Sequence, residues 1–221
     1  ISACLVGSEM CIRDRYIARH GQTEWNIEKR MQGWEDSNLT ALGLANANAL
    51  GERLKDVQFK AAYSSPSGRA VASARAMLQN RSIPFITDDR LKEISIGRWE
   101  GKTYDEIKQS DPDLLEAYFN APETYMPDEG ESFYDFERRV SRAYESILRR
   151  HREGNVLIVS HSVFILMLLN LLKKRPVSEL WNSSYVHDTA LAVVTVSEDG
   201  SVTIDREGDG EHRVEAKNAT W

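Results

Sequence analysis

Arg19 and His20 close a short apolar stretch in YIARHGQTEWN, from Tyr16 to Asn26. A cation beside an imidazole at such a place is costly unless an anion offsets it. The pair suits attack by histidine on a phosphate ester. The attacking imidazole must be neutral, and nearby guanidinium groups disfavour its protonated form. The same groups bind a dianionic phosphoryl group, by paired contacts where geometry allows. Charge spreads over the equatorial oxygens of a phosphoryl group in transfer, so fixed cations around it lower the barrier. A proton must also reach the leaving oxygen, a contribution of roughly 100- to 10,000-fold.

The chain offers each part. His20 is the candidate nucleophile, and Arg19 and Arg69 are candidate phosphate clamps. Arg69 stands near the start of a helix whose free N–H groups would add to an anion site. His161 follows the apolar run NVLIVS and is a candidate donor to phosphate oxygens. Glu93, in LKEISIGRWEG, is the candidate proton donor. Its pKa has to be raised by burial or by bound phosphate, against the pull of the arginines. Singly, each has a plainer reading: a strand terminus, a hydrogen-bonded core histidine, a solvated carboxylate. His151 and His212 lie in charged, exposed surroundings and His187 before a strand, and none is assigned a chemical role. Trp34 and Trp99 suit a pocket wall or the core.

The elements that must carry these residues alternate. CIRDRYIA, AAYSS, IPFIT, NVLIVS, ALAVVTV and SVTID read as strands, the last two as a hairpin across EDG. TALGLANANALGERLKDV reads as a helix capped by Thr40, and SGRAVASARAMLQ has helical spacing. ESFYDFERRVSRAYESILRRHRE is a long amphipathic helix with Phe133, Phe136, Val140, Ala143, Tyr144 and Ile147 on one side. The pattern predicts an α/β fold, a three-layer α/β/α sandwich with a mostly parallel sheet. Such sheets bind ligands at the carboxyl ends of their strands. Arg19-His20, Ser64-Ser65 and Ser160-His161 all fall at such ends.

The 221 residues carry 28 Lys and Arg against 34 Asp and Glu, a net charge of -6. That argues against nucleic-acid and anionic-membrane partners, which want a basic face. It leaves an anionic small molecule open, because a few clustered arginines make a positive pocket. Cys4 and Cys11 show no zinc spacing. The longest apolar run, Val163 to Leu172, is short of the roughly 20 residues of a bilayer span. NAT at Asn218 reads as a chance match to a glycosylation acceptor. Residues 1–14 are expected to be a non-native or disordered extension, lacking the basic leader and apolar core of a signal peptide. Residues 15–221 are then one domain, with a lid-like insertion at about 102–131.

RHGQTEWN, RMQGWEDSNLTALG, YSSPSGRAVASA, LKEISIGRWEGKTYDEI, DEGESFYDFERRV and VLIVSHSV, in this order, resemble the histidine phosphatase superfamily, the phosphoglycerate mutase-like proteins. The resemblance runs from about Tyr16 to the end. It implies a phosphohistidine at His20, with Arg19, Arg69 and His161 completing the phosphate pocket and Glu93 as acid and base. It also implies phosphate contacts from Thr23, Asn26, Gln32 and Gly33, and neither metal nor cofactor. Ser162 stands where many members carry glycine, and is expected to crowd the phosphate or bond to it.

Cofactor-dependent mutases of the superfamily carry a longer, basic insertion after the position of Gly101. Here there is no basic residue between Lys108 and Arg138. Asp111, Asp113, Glu116, Glu123 and Asp128 would repel a doubly anionic metabolite if they face the site. The chain therefore looks more like a broad-specificity phosphatase of the PhoE type. Tyr118, Phe119, Tyr125 and Met126 suit an apolar leaving group and lid packing equally. The expectation is a metal-independent phosphomonoester hydrolase of the cytoplasm, acting on small phosphorylated metabolites. The alternatives are a phosphoglycerate mutase, which returns the phosphoryl group to a bound sugar acid, and a silent phosphate-binding module. Physiological substrate and oligomeric state stay open.

Overall fold

Runs such as NVLIVS, apolar without a break from Val156 to Val159, become central strands because helices cover both faces of the sheet. The computed structural model describes residues 13–183, 186–197 and 199–214. Six strands form one sheet within them: β1 (Arg13–Arg19), β2 (Phe59–Ser64), β3 (Phe85–Thr87), β4 (Asn155–Ser160), β5 (Leu191–Val196) and β6 (Val202–Asp209). Their spatial order is β3-β2-β4-β1-β5-β6. β1, β2, β3 and β4 are mutually parallel, and β5 runs against both β1 and β6.

Side chains alternate along the strands and divide the core in two. Ala18, Ala62, Leu157 and Val159 face α2 (Ala41–Arg53) and α3 (Gly68–Leu78). Ile17, Tyr63, Val156 and Ile158 face α6 (Phe133–Arg150) and α7 (Ser162–Leu172). This is the expected three-layer sandwich. Each fully buried aliphatic side chain contributes about 1.5–3 kcal/mol. Thr40 caps α2 by accepting from Gly43 N–H, and Ser132 caps α6 by accepting from Asp135 N–H. The stripe read on α6 is its buried face.

Two expectations change. Arg13 and Asp14, counted both in the N-terminal extension and in the strand read at CIRDRYIA, belong to β1 and pair with Val196 and Thr195. Residues 1–12 with their cysteines, and Asn218, lie outside the described residues. Segment 102–131 folds into α4 (Tyr104–Ser110), α5 (Pro112–Asn120) and a 3-10 turn at Pro122–Thr124. Tyr118 and Tyr125 are buried in an aromatic cluster with Trp99 and Phe133. Phe119 packs on Tyr118 and Trp181, while Met126 is exposed. Packing, not leaving-group contact, explains Tyr118 and Tyr125. Asp111 accepts from Trp99 Nε1 at 3.0 Å and pairs with Arg98, as does Asp128. The repulsion expected of these two carboxylates is spent on Arg98.

Candidate active site

Parallel register brings three strand ends together. Arg19 lies opposite Ser160, and Ser64 opposite Val159. His20 N–H donates to Ser160 O at 3.0 Å and Ser65 N–H to Val159 O at 3.0 Å. His20, Ser65 and His161 therefore leave the sheet side by side. The turn after His20 is pinned to the helices. Gly21 N–H donates to Ser73 Oγ at 2.8 Å, and Thr40 N–H to Gln22 O at 2.9 Å. A Cβ on Gly21 would sit 2.4 Å from Gly43 O, and one on Gly43 2.1 Å from Gln22 O. Only glycine permits that approach.

His20 is buried, and its Nδ1 lies 2.7 Å from Gly21 O. A carbonyl only accepts, so Nδ1 carries the proton and Nε2 keeps its lone pair. Burial, then Arg69 and Arg19, hold the imidazole well below its usual pKa, hence neutral. The His161 ring lies edge-on to His20 at 5.2 Å between centroids. Arg69 Nη2 donates to His161 Nδ1 at 3.2 Å, which places the His161 proton on Nε2, donated to Ser65 Oγ at 2.8 Å. A phosphate oxygen would have to take the place of Ser65 to receive it. His161 too is held well below its usual pKa, by burial and then by Arg69.

Arg69 is buried with its four Nη hydrogens committed. Nη1 donates to Glu35 O at 2.6 Å and Asp36 Oδ1 at 2.8 Å, and Nη2 to Gly33 O at 2.9 Å besides His161. Its Nε has no partner among the described residues. The free helix amides expected beside it are not all free: Arg69 N–H lies 3.4 Å from Asp36 Oδ1. Arg19 Nη1 donates to Val186 O at 2.7 Å. Both guanidiniums are thus fixed by backbone carbonyls and lend their charge to the site.

Glu93 lies against the N-terminus of α7. Its Oε1 accepts from Ile94 and Phe164 N–H, each at 3.0 Å. Oε2 accepts from Val163 N–H at 3.0 Å and from Ser162 Oγ at 3.3 Å. Burial raises the Glu93 pKa, and the Val163 and Ile94 amides and both arginines oppose the rise. Ser162 was expected to touch the phosphate; its hydroxyl instead donates to Glu93, because the first turn of α7 is wrapped around that carboxylate.

Thr23, Asn26 and Gln32 form a local network at α1 (Glu24–Ile27). Thr23 N–H and Oγ1 both bond Asn26 Oδ1, and Gln32 Nε2 donates to Thr23 Oγ1 at 2.9 Å. Gly33, with φ of 51°, turns its carbonyl to Arg69. These four support the site's walls through bonds to one another and to Arg69.

A cavity of about 300 Å³ opens here, lined by Trp34, Asp36, Ser65, Lys92, Glu93 and His161 among others. None of its lining comes from 102–131. Trp34 is half exposed, donates from Nε1 to Glu93 O at 2.9 Å, and lies under the Lys92 ammonium at 4.6 Å. Trp99, its equal in the sequence reading, is core. A wider hollow of about 530 Å³ around Arg53 and His212 contains none of these groups, and its arginine is paired with Asp209 and Glu211. His151 and His212 are half-buried rather than exposed, bonded to Tyr63 OH and Thr189 Oγ1. Among the described residues, no group of three His, Cys, Asp or Glu is placed to hold a metal ion.

Sequence reasoning missed Glu35, Asp36, Lys92 and Val186. Asp36 and Lys92 act through charge, but nothing local marks either as facing the cavity. Glu35 and Val186 act through carbonyls, which every residue has.

Residues 15–209 match the model of the histidine phosphatase superfamily, branch 1. Bacillus stearothermophilus YhfR has a structure matching with TM-score 0.89 and 42% identity, over 91% of this chain and 100% of that one. The alpha-ribazole phosphatase from Shigella flexneri matches with TM-score 0.82 and 26% identity, over 93% and 100%. A probable phosphoglycerate mutase, GpmB, of Yersinia pestis is 30% identical over 161 residues, 73% of this chain and 75% of that one. Phosphatases and mutases both stand among these relatives.

Proposed function

The chain belongs to the histidine phosphatase superfamily, and from that membership and the site we propose that it hydrolyses small phosphomonoesters without a metal, through a phosphohistidine at His20. The observation that carries the reading is the His20 tautomer: a neutral ring that donates its Nδ1 proton to Gly21 O and keeps a lone pair on Nε2, in the field of two buried arginines. His20 Nε2 attacks phosphorus in line as the ester P–O bond breaks. Glu93 gives its proton to the departing oxygen. As a carboxylate, Glu93 then takes a proton from water, whose oxygen attacks phosphorus while the N–P bond breaks. Neutral imidazole and inorganic phosphate result, and Glu93 regains its proton. Arg19 and Arg69 stabilise the charge on the equatorial oxygens.

Hydrolysis is favoured over mutase chemistry by the cavity. Its Lys92 is already paired with Asp89 at 2.9 Å, and Asp36 shares the wall. A second anionic group on the substrate meets little free positive charge. The GpmB resemblance supports the mutase alternative, in which the same intermediate hands its phosphoryl group to a bound sugar acid. The net charge of -6 supports small-molecule rather than nucleic-acid partners, and the proposal includes a cytoplasmic location.

A panel of phosphomonoesters assayed with and without chelator tests the reading. It predicts turnover that survives chelation and a loss of about a thousandfold or more in His20→Ala. Conversion of 3- to 2-phosphoglycerate, dependent on bisphosphoglycerate and faster than hydrolysis, would establish the mutase instead.

A further inference from the structure

Arg139, on α6, lies 46 residues from Glu93 along the chain, yet all five of its N–H groups go to the segment carrying Glu93 or to the residue that grips it. Nη1 donates to Arg90 O at 3.0 Å and Lys92 O at 2.8 Å. Nη2 donates to Glu93 O at 2.9 Å. Nε and Nη2 form a paired contact with the Glu131 carboxylate at 2.7 and 2.5 Å. Glu131 in turn takes Ser95 N–H on Oε2 at 2.9 Å, and its own N–H donates to Ser95 O at 2.9 Å. Gly130 makes this approach possible: its φ is 104°, and a Cβ there would sit 2.5 Å from Ser95 O.

The grip thus reaches residues 90, 92, 93 and 95, an irregular stretch joining a 3-10 turn at Asp89–Leu91 to another at Gly97–Trp99. Such a stretch has no ladder of its own to hold it. A planar guanidinium offers five donors in a fixed fork, enough for three carbonyls and a carboxylate; a lysine ammonium offers three and no fork.

We propose that Arg139 and Glu131 are positioning residues that fix the backbone of Glu93, so that its carboxyl group meets the leaving oxygen. The proposal rests on the reading of Glu93 as the acid. His20, Arg19 and Arg69 stand on other elements, so loosening the grip spares nucleophilic attack and impairs leaving-group protonation. p-Nitrophenolate departs without a proton, and an alkoxide does not. A misplacement of about 1 Å can cost on the order of a hundredfold.

The experiment compares kcat/KM on p-nitrophenyl phosphate and on glycerol 2-phosphate for wild type, Arg139→Lys, Glu131→Gln and Glu93→Gln. The ratio of the two values does not depend on the fraction of protein folded, so destabilisation alone does not move it. Arg139→Lys and Glu131→Gln are expected to lose about ten- to a hundredfold on the alkyl ester and under about threefold on the aryl ester. Equal losses on both, with Glu93→Gln selective, would overturn the positioning role alone. Absence of selectivity in Glu93→Gln would remove the acid assignment on which it rests.

Discussion

Asp36→Asn should tighten the binding of phosphate. Asp36 Oδ1 accepts from Arg69 Nη1 at 2.8 Å, with a carboxylate 37% exposed against 1% for the arginine. The remaining Nη hydrogens of Arg69 are held by Glu35 O, Gly33 O and His161. An entering phosphoryl group therefore competes with Asp36 for this guanidinium and is repelled by it. Taking the two anions as roughly 7 Å apart, a unit pair interacts by about 2.4 kcal/mol at an effective dielectric of 20. Exposure and salt remove at least half of this. About 1 kcal/mol is left, or roughly fivefold in affinity. The inhibition constant of inorganic phosphate, measured against p-nitrophenyl phosphate at low and high salt, reads this directly. The constant should fall about fivefold at low salt and less at high salt. An unchanged or weaker affinity in a folded variant would refute the competition and make Asp36 a support for Arg69 alone.

Gly43→Ala places a methyl group where Gln22 O would be 2.1 Å away. It should push the His20 turn off α2, lowering Tm by several degrees and activity by at least tenfold; a variant matching wild type in both would contradict the close approach. All five histidines are held below the usual imidazole pKa, His20 and His161 by burial and then Arg69, His151, His187 and His212 chiefly by burial. Unfolding returns each to about 6.5, where it takes up a proton that the fold refuses. Stability is therefore complete above that pH and lost as pH falls through it; Glu93, raised by burial, acts in the opposite sense above its ordinary 4.5. Tm measured from pH 7.5 down to 5.5 should fall, and a flat or rising profile would contradict the account. Ser162→Gly removes a hydroxyl that donates to Glu93 and so favours its charged form. The alkaline limb of kcat/KM should move to higher pH; a limb that stays put would mean the hydroxyl does not act on the acid.

The elements are legible in the sequence because their signals are local. Thr40 sits just before a helical pattern, and NVLIVS has the apolarity of a strand covered on both faces. His20, Arg69 and His161 are legible by type and by place at element ends, and Glu93 by type within its motif. What holds them is not. The Arg69 fork goes to the carbonyls of Gly33 and Glu35, and no side chain announces a carbonyl. Ser162 carries a hydroxyl that suits phosphate or carboxylate alike, and only the path of α7 sends it to Glu93. Tyr118 and Tyr125 have the composition of a pocket wall, which is also that of a core; burial among Trp99 and Phe133 decides between them. Arg139 reads as one arginine among several on α6, and its role depends on a loop 46 residues away.

The claim that the imidazole of His20 becomes the phosphoryl carrier is tested most directly by trapping. Enzyme mixed with a radiolabelled phosphomonoester and quenched in alkali should hold label that acid releases, mapping to the peptide with His20 and absent from His20→Asn. Full turnover with no trapped label, or label on another residue, would contradict it.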